Sequence, residues 1–117
     1  MRKLVAVISV AMVAQFFAVT TVAQETKRVP ALREQVYSQL ARAQELADNG
    51  DVAGGIAALK NVESKVSSMN SYERAMLWNF YGYMHYGEDR IDQAISYFAK
   101  VVQEDPIPEA LKQNTLF

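Results

Sequence analysis

The chain has 117 residues, of which 50% are hydrophobic and 21% are charged, a balance typical of one small folded domain. Its formal net charge of -1 argues against a nucleic-acid partner, because such proteins need an excess of Lys and Arg to neutralise phosphates. The absence of Cys and the single His exclude disulfides, thiolate metal sites and any site that needs two imidazoles. We therefore expect no metal and no cofactor, and the composition alone points to no reaction.

The first 23 residues have the pattern of a secretory signal peptide. A basic head, Met1-Arg2-Lys3, precedes an apolar stretch over 4–19 and a short run of small residues that ends at Ala23. The alternative is an uncleaved anchor, but this apolar stretch is shorter than the roughly 20 residues of a membrane-spanning helix. Cleavage removes two of the 12 basic residues and none of the 13 acidic ones, which leaves a net charge of -3. We predict an exported protein, periplasmic or secreted, with no stable membrane span after cleavage.

A flexible linker is predicted over 24–30, followed by a first pair of helices within 31–66. Pro30 suits the start of a helix, and apolar residues recur from there in steps of three and four. Gly50 can adopt the left-handed conformation that ends a helix, and Asp51 can cap the helix that follows. Gly54-Gly55 in its first turn would allow close approach of another backbone.

A second pair of helices is predicted within 71–106. Asn70 and Glu73 have the spacing of a capping box, and the helix after them is rich in large side chains. The second helix of this pair stops before Asp105-Pro106, and 107–117 begins a further helix. The plan is all-α, with five helices and no strand.

Residues 75–106 resemble a tetratricopeptide repeat (TPR). The residues that match the repeat in type and spacing are Trp78, Gly82, Ala94, Phe98 and Pro106. Tyr81 and His85 depart from it, since Leu and Tyr are usual at those positions. The resemblance implies antiparallel helix hairpins stacked as a short solenoid. Gly82 and Ala94 would be the small residues at which the two helices cross, and Pro106 would turn the chain toward the next unit.

A degenerate copy of the repeat is predicted over 31–66, without the Trp and the terminal Pro. Repeats of this type need about three units to bury a continuous core, and only two are present here. We therefore expect 107–117 to begin a third, truncated unit of a longer repeat protein. The alternative is that this end docks on a partner or on a second copy of the chain, which would form a homo-oligomer.

The resemblance implies a binding scaffold, in which the first helix of each hairpin lines a groove for a protein or peptide. The groove candidates of the second hairpin are Asn79, Tyr83 and Tyr86, and those of the first are Tyr37 and Gln44. The alternative is that some of them only pack against the neighbouring repeat. No Lys or Arg occurs between Ala75 and Gly87, so a clamp for a peptide carboxylate is not expected, and we predict an aromatic groove that is close to neutral.

Other residues that could carry chemistry have simpler interpretations. His85 has no second His and no evident carboxylate partner on its helix face, so packing or one hydrogen bond is expected. The acids Glu88, Asp89 and Asp92 lack the spacing of a calcium loop and are expected to be solvated or to cap helices. We therefore predict that the chain is not an enzyme.

A narrower resemblance covers Ser67 to Pro108, which is similar to TPR proteins found with the TonB–ExbB–ExbD energy-transduction system. It implies a role that supports uptake across an outer membrane. The alternative function is that of a helical N-terminal part of a larger enzyme or envelope-assembly protein, whose active part lies beyond Phe117.

Overall fold

The computed structural model describes residues 28–115, and within that range the fold is all-helical with no strand. The predicted signal peptide, most of the predicted linker and the last two residues lie outside the described residues. The helices are α1 (Glu34–Asp48), α2 (Val52–Glu63), α3 (Ser71–Gly87), α4 (Ile91–Gln103) and α5 (Glu109–Thr115), with a 3₁₀ turn at Val66–Ser68. The predicted all-α class and the five predicted helices are confirmed.

The helices are arranged as two hairpins with a fifth helix at one end. α1 packs against α2 and α3 packs against α4, while α3 also contacts both helices of the first hairpin and α5 contacts α4. One continuous core joins the hairpins, and its most deeply buried large side chains include Leu40, Leu59, Leu77, Tyr81 and Val101. Because α3 is covered from two sides, large side chains occur around most of its circumference.

The two hairpin turns have the same backbone hydrogen bonds, 39 residues apart. In the first turn, the N–H groups of Gly50 and Asp51 donate to the carbonyls of Ala47 and Leu46 at 3.0 and 2.9 Å. In the second turn, the N–H groups at positions 89 and 90 donate to the carbonyls at positions 86 and 85, at 3.1 and 2.9 Å. The left-handed residue is Gly50 in the first turn and Asp89 in the second, with φ of 95° and 62°. The two turns therefore follow one backbone design with different residues.

The first helix begins later than Pro30, the start that the sequence favours. Residues 28–33 are not helical, and α1 begins at Glu34. Hydrogen bonds with the start of α3 hold this segment. Among them, the Arg33 N–H donates to Glu73 Oε2 at 3.0 Å, and Asn70 Nδ2 donates to the Ala31 carbonyl at 2.9 Å. Tertiary contacts thus outweigh the local preference of proline for a first helical turn.

The predicted helix caps are present. The Asp51 side chain accepts a hydrogen bond from the Gly54 N–H at 2.9 Å, at the start of α2. Asn70 and Glu73 form the reciprocal capping box at the start of α3, with bonds of 2.9 and 3.1 Å. Each cap satisfies N–H groups that have no partner within the helix.

Each hairpin has a glycine at a contact that leaves no room for a Cβ atom. A Cβ atom on Gly55 would lie 2.8 Å from the Ala43 carbonyl oxygen, so α1 and α2 approach backbone to backbone at this point. A Cβ atom on Gly82 would lie 2.7 Å from Cδ1 of Phe98, so the ring of Phe98 fills the space above that glycine. Ala94, the expected partner of Gly82, is buried one turn before Phe98 on α4.

Candidate functional site

An open groove runs between α1 and α3, the first helices of the two hairpins, and we call it the α1–α3 groove. It consists of two adjoining cavities of about 410 and 220 Å³ that share Gln44 and Asp48 in their walls. The remaining wall residues of the larger cavity are Tyr37, Ala41, Glu45, Asn49 and Phe80. Those of the smaller cavity are Ala47, Val52, Tyr83, Met84, Gly87 and Glu88.

Three of the five predicted groove residues lie in this groove. Tyr37 and Tyr83 are each about half exposed, at 50% and 49%, and Gln44 lies between the two cavities. Asn79 is half-buried and Tyr86 is 60% exposed, but neither lies in the wall of either cavity. The structure thus brings Tyr37, Gln44 and Tyr83 together and leaves the other two outside.

The groove also contains acidic side chains that were not predicted from the sequence. Asp48, at the end of α1, is in the wall of both cavities, and Glu88, just after α3, is in the wall of the smaller one. The groove therefore carries negative charge, in contrast to the expected neutrality.

A stack of aromatic rings covers the opposite side of α3. The Tyr97 ring of α4 lies between three α3 rings, with centroids 4.5 Å from Tyr81, 5.4 Å from His85 and 6.2 Å from Trp78. Lys100 Nζ lies 4.6 Å from the centroid of the Trp78 ring, a distance suited to a cation–π contact. These rings pack α3 against α4, and the α1–α3 groove lies on the other face of α3.

The buried hydroxyl of Tyr81 joins the second hairpin to the first. It donates a hydrogen bond of 2.7 Å to Glu63 Oε1 at the end of α2. Burial raises the pKa of Tyr81 well above its ordinary value, and the hydrogen bond and negative charge of Glu63 raise it further. The phenol therefore stays protonated and acts as a donor, not as a base.

His85 lies in the aromatic stack and has one polar partner. Arg90 Nε donates to His85 Nδ1 at 2.9 Å, which keeps that nitrogen as an acceptor. Burial, and secondarily the positive charge of Arg90, lower the pKa of His85 below its ordinary value. The expected packing and single hydrogen bond are what the structure shows at this residue.

Charged hydrogen bonds join the segment before α1 to the start of α3. The fully buried Glu73 carboxylate accepts bonds from the Arg33 guanidinium at Nε and Nη2, both of 2.7 Å, and from the Arg33 and Asn70 backbone N–H groups. These bonds, led by those from the guanidinium, lower the pKa of Glu73 to about 2 despite the opposing effect of burial. Arg33 itself is half exposed, so the ion pair lies at the edge of the core.

Residues 28–115 contain no group of three or more His, Cys, Asp or Glu side chains that could hold a metal ion. No helix within that range combines the length and apolar character needed to cross a membrane. Comparisons with family profiles, curated protein sequences and solved structures found no match for the chain. The site that its own geometry supports best is the α1–α3 groove.

Proposed function

We propose that this protein is an exported scaffold of TPR type, which resides in the periplasm and binds a protein or peptide in the α1–α3 groove. The observation that carries the proposal is the groove itself, in which half-exposed tyrosines from the first helix of each hairpin line adjoining cavities. Tyrosine suits recognition because it offers a large contact area and a hydroxyl at low cost in conformational entropy.

The repeated hairpin supports the TPR part of the proposal. The two turns share their hydrogen bonds at a spacing of 39, and each hairpin has a glycine at a contact too close for a Cβ atom. The repeat residues Trp78, Gly82 and Phe98 all lie at the interface of α3 and α4. The resemblance to TonB-associated TPR proteins extends the proposal to outer-membrane transport.

Site-specific photocrosslinking tests the scaffold function. A photoreactive amino acid replaces Tyr37 or Tyr83 in the full chain expressed in a Gram-negative host, and the exposed Gln93 of α4 serves as the matched control position. We expect discrete adducts from the two groove positions and none from the control. Equal labelling at all three positions, or no adduct at any, would contradict the scaffold function.

Export and the transport role have separate tests. Mass spectrometry of the periplasmic protein should find Gln24 at the amino terminus, and an intact Met1 would contradict the signal peptide. Deletion of the gene that encodes this chain should slow uptake through TonB-dependent receptors but leave porin-mediated uptake unchanged. Normal TonB-dependent uptake in the deletion strain would remove the transport role without affecting the scaffold function.

A second candidate function is self-association through the end of the second hairpin. Ile91 and Ile95 lie one turn apart on α4 and are 42% and 58% exposed. Their counterparts 39 residues earlier, Val52 and Ile56, are partly buried. We expect Ile95→Glu to shift sedimentation from dimer to monomer, and a wild-type chain that sediments as a monomer at all concentrations would rule this candidate out.

A further inference from the structure

Every charged side chain in the wall of the α1–α3 groove is acidic. The three are Glu45, Asp48 and Glu88, and neither cavity has a Lys or an Arg in its wall. A third open cavity nearby, of about 430 Å³, is different, because Lys60 and Arg90 are in its wall together with Glu88. The walls of the α1–α3 groove therefore differ from those of this third cavity in carrying acids and no base.

Internal partners leave most of this charge in place. Glu45 forms an ion pair of 2.8 Å with Arg42, on the exposed side of α1. Asp48 accepts a hydrogen bond of 2.8 Å from Gln44 Nε2, but an amide is a neutral donor and does not cancel the charge. Neither Asp48 nor Glu88 has a Lys or Arg beside it in the wall of the smaller cavity.

The helix ends add to the negative potential. α1 ends at Asp48 with no basic residue in its last turn, and α3 ends at Gly87, directly before Glu88. The carbonyl groups at a helix C-terminus carry a partial negative charge, so an acid there is unfavourable. Two such ends meet in one cavity, and a bound cation would relieve the repulsion at both.

The aromatic residues of the groove suit the same kind of ligand. Tyr37 and Tyr83 are half exposed, and Phe80 lies in the wall beside Tyr37. A guanidinium or an ammonium group can lie against such ring faces while its charge meets a carboxylate. Within this molecule, the Lys100 ammonium already lies over a ring face, that of Trp78.

We infer that the α1–α3 groove binds an extended, cationic protein segment, with an Arg or Lys side chain between Asp48 and Glu88 and apolar or aromatic residues against Tyr37 and Phe80. This inference rests on the proposed scaffold function and specifies its partner class. It also separates this groove from one that binds the carboxylate end of a peptide, since such a ligand would meet only negative charge.

The test uses three fluorescent ten-residue peptide libraries. One library fixes two Arg residues four positions apart, one fixes two Glu residues there, and one fixes two Gln residues. Binding to the mature chain is measured by fluorescence anisotropy at 50 and 300 mM NaCl. We expect selected members of the Arg library to bind and to weaken with salt, because rim charges act through screened electrostatics.

Two charge-matched double variants locate the binding site. Asp48→Asn with Glu88→Gln removes the two groove charges that have no ion pair among the bonds described above, whereas Asp92→Asn with Glu109→Gln removes the same amount of charge from exposed positions outside the groove. The groove variant should weaken binding about three- to tenfold and reduce the effect of salt, because each exposed ion pair contributes about 0.2–1 kcal/mol. The control should bind as the wild type does, and equal thermal midpoints would exclude unfolding.

The outcomes separate the two proposals. Binding of the Glu or Gln library at the strength of the Arg library would overturn the cationic preference and leave the scaffold function standing. Equal weakening in both double variants would show that attraction to net charge, and not the groove, explains the binding. Failure of all three libraries to bind would contradict both the cationic preference and peptide binding in this groove.

Discussion

The two hairpins have the same turn but achieve close helix packing with different residues. In the first hairpin the glycine is Gly55 on the second helix, and it faces the backbone carbonyl of Ala43. In the second hairpin the glycine is Gly82 on the first helix, and it faces the side-chain ring of Phe98. The two hairpins therefore place the small residue of a close contact on different helices, the second helix in one and the first helix in the other.

The largest loss of stability is expected where the two helices of the second hairpin cross. Gly82→Leu would push a side chain into the Phe98 ring and force α3 and α4 apart, at a cost of about 3 kcal/mol or more, because the interior has no free volume. Gly87→Leu is the control, since a Cβ at Gly87 meets nothing within 4 Å. Urea denaturation measures both, and an unchanged midpoint for Gly82→Leu would show that the crossing is misplaced.

The next largest loss of stability is expected at Glu73, near the start of α3, and is compared with Glu34, which lies 39 positions earlier at the start of α1. Glu73→Gln should cost about 1.5–3 kcal/mol, because it removes charged hydrogen bonds to Arg33 and keeps an amide that can still serve the capping box. Glu34, 39 residues earlier, is exposed, so Glu34→Gln should change the free energy of unfolding by less than about 0.5 kcal/mol.

The same pair gives a pH dependence with a defined sign. The pKa of Glu73 is about 2 in the folded chain, below its ordinary value of 4.5, so its stabilising effect is complete above that ordinary value. The stability difference between wild type and Glu73→Gln should shrink as the pH falls from about 5 toward 2. Denaturation at several pH values measures it, and a constant difference across this range would contradict the ion pair.

A smaller effect is expected at the contact between the hairpins. Tyr81→Phe removes the hydrogen bond to Glu63 and should cost about 1 kcal/mol, because a half-buried carboxylate loses a donor. Tyr83→Phe is the matched control, since Tyr83 is half exposed. Thermal unfolding of both variants makes the comparison, and equal midpoints would mean that the Tyr81 hydroxyl contributes nothing.

The smallest changes in stability are expected from substitutions at the left-handed residues of the two turns, and they should have opposite signs. Gly50→Ala forces a side chain into a left-handed backbone and should destabilise by about 1 kcal/mol. Asp89→Gly relieves the same conformation and should stabilise by a few tenths of a kcal/mol. Changes of equal sign in the urea midpoints would show that the two turns are not equivalent.

Local features of the fold could be predicted from the sequence. The capping box at Asn70, the Asp51 cap and the left-handed Gly50 each depend on residues only a few positions apart. The second turn shows the limit of that reasoning, because the left-handed residue is Asp89, while the nearby Gly87 ends the helix in an ordinary conformation. The hydrogen bonds of the whole turn, and not the position of the nearest glycine, therefore determine which residue adopts the left-handed conformation.

Contacts between distant residues could not be predicted in the same way. Arg33 and Glu73 are 40 positions apart, and their ion pair depends on how α3 packs against the first hairpin. Tyr97 enters the aromatic stack from another helix for the same reason. In the groove, Tyr37 and Tyr83 were predicted from their helix positions, but the acids Asp48 and Glu88 come together only through the packing of α1 on α3.

The bonds between Arg33 and Glu73 also have a practical consequence for how the molecule can be attached to a surface. They hold the chain ahead of α1 beside the first turn of α3, whereas Glu88 follows the last turn of that 17-residue helix, about 25 Å away. A tether fused ahead of Arg28 therefore leaves the bundle at the far end from Asp48 and Glu88. Immobilisation through that terminus therefore keeps the acidic end of the α1–α3 groove accessible to ligands in a flow cell.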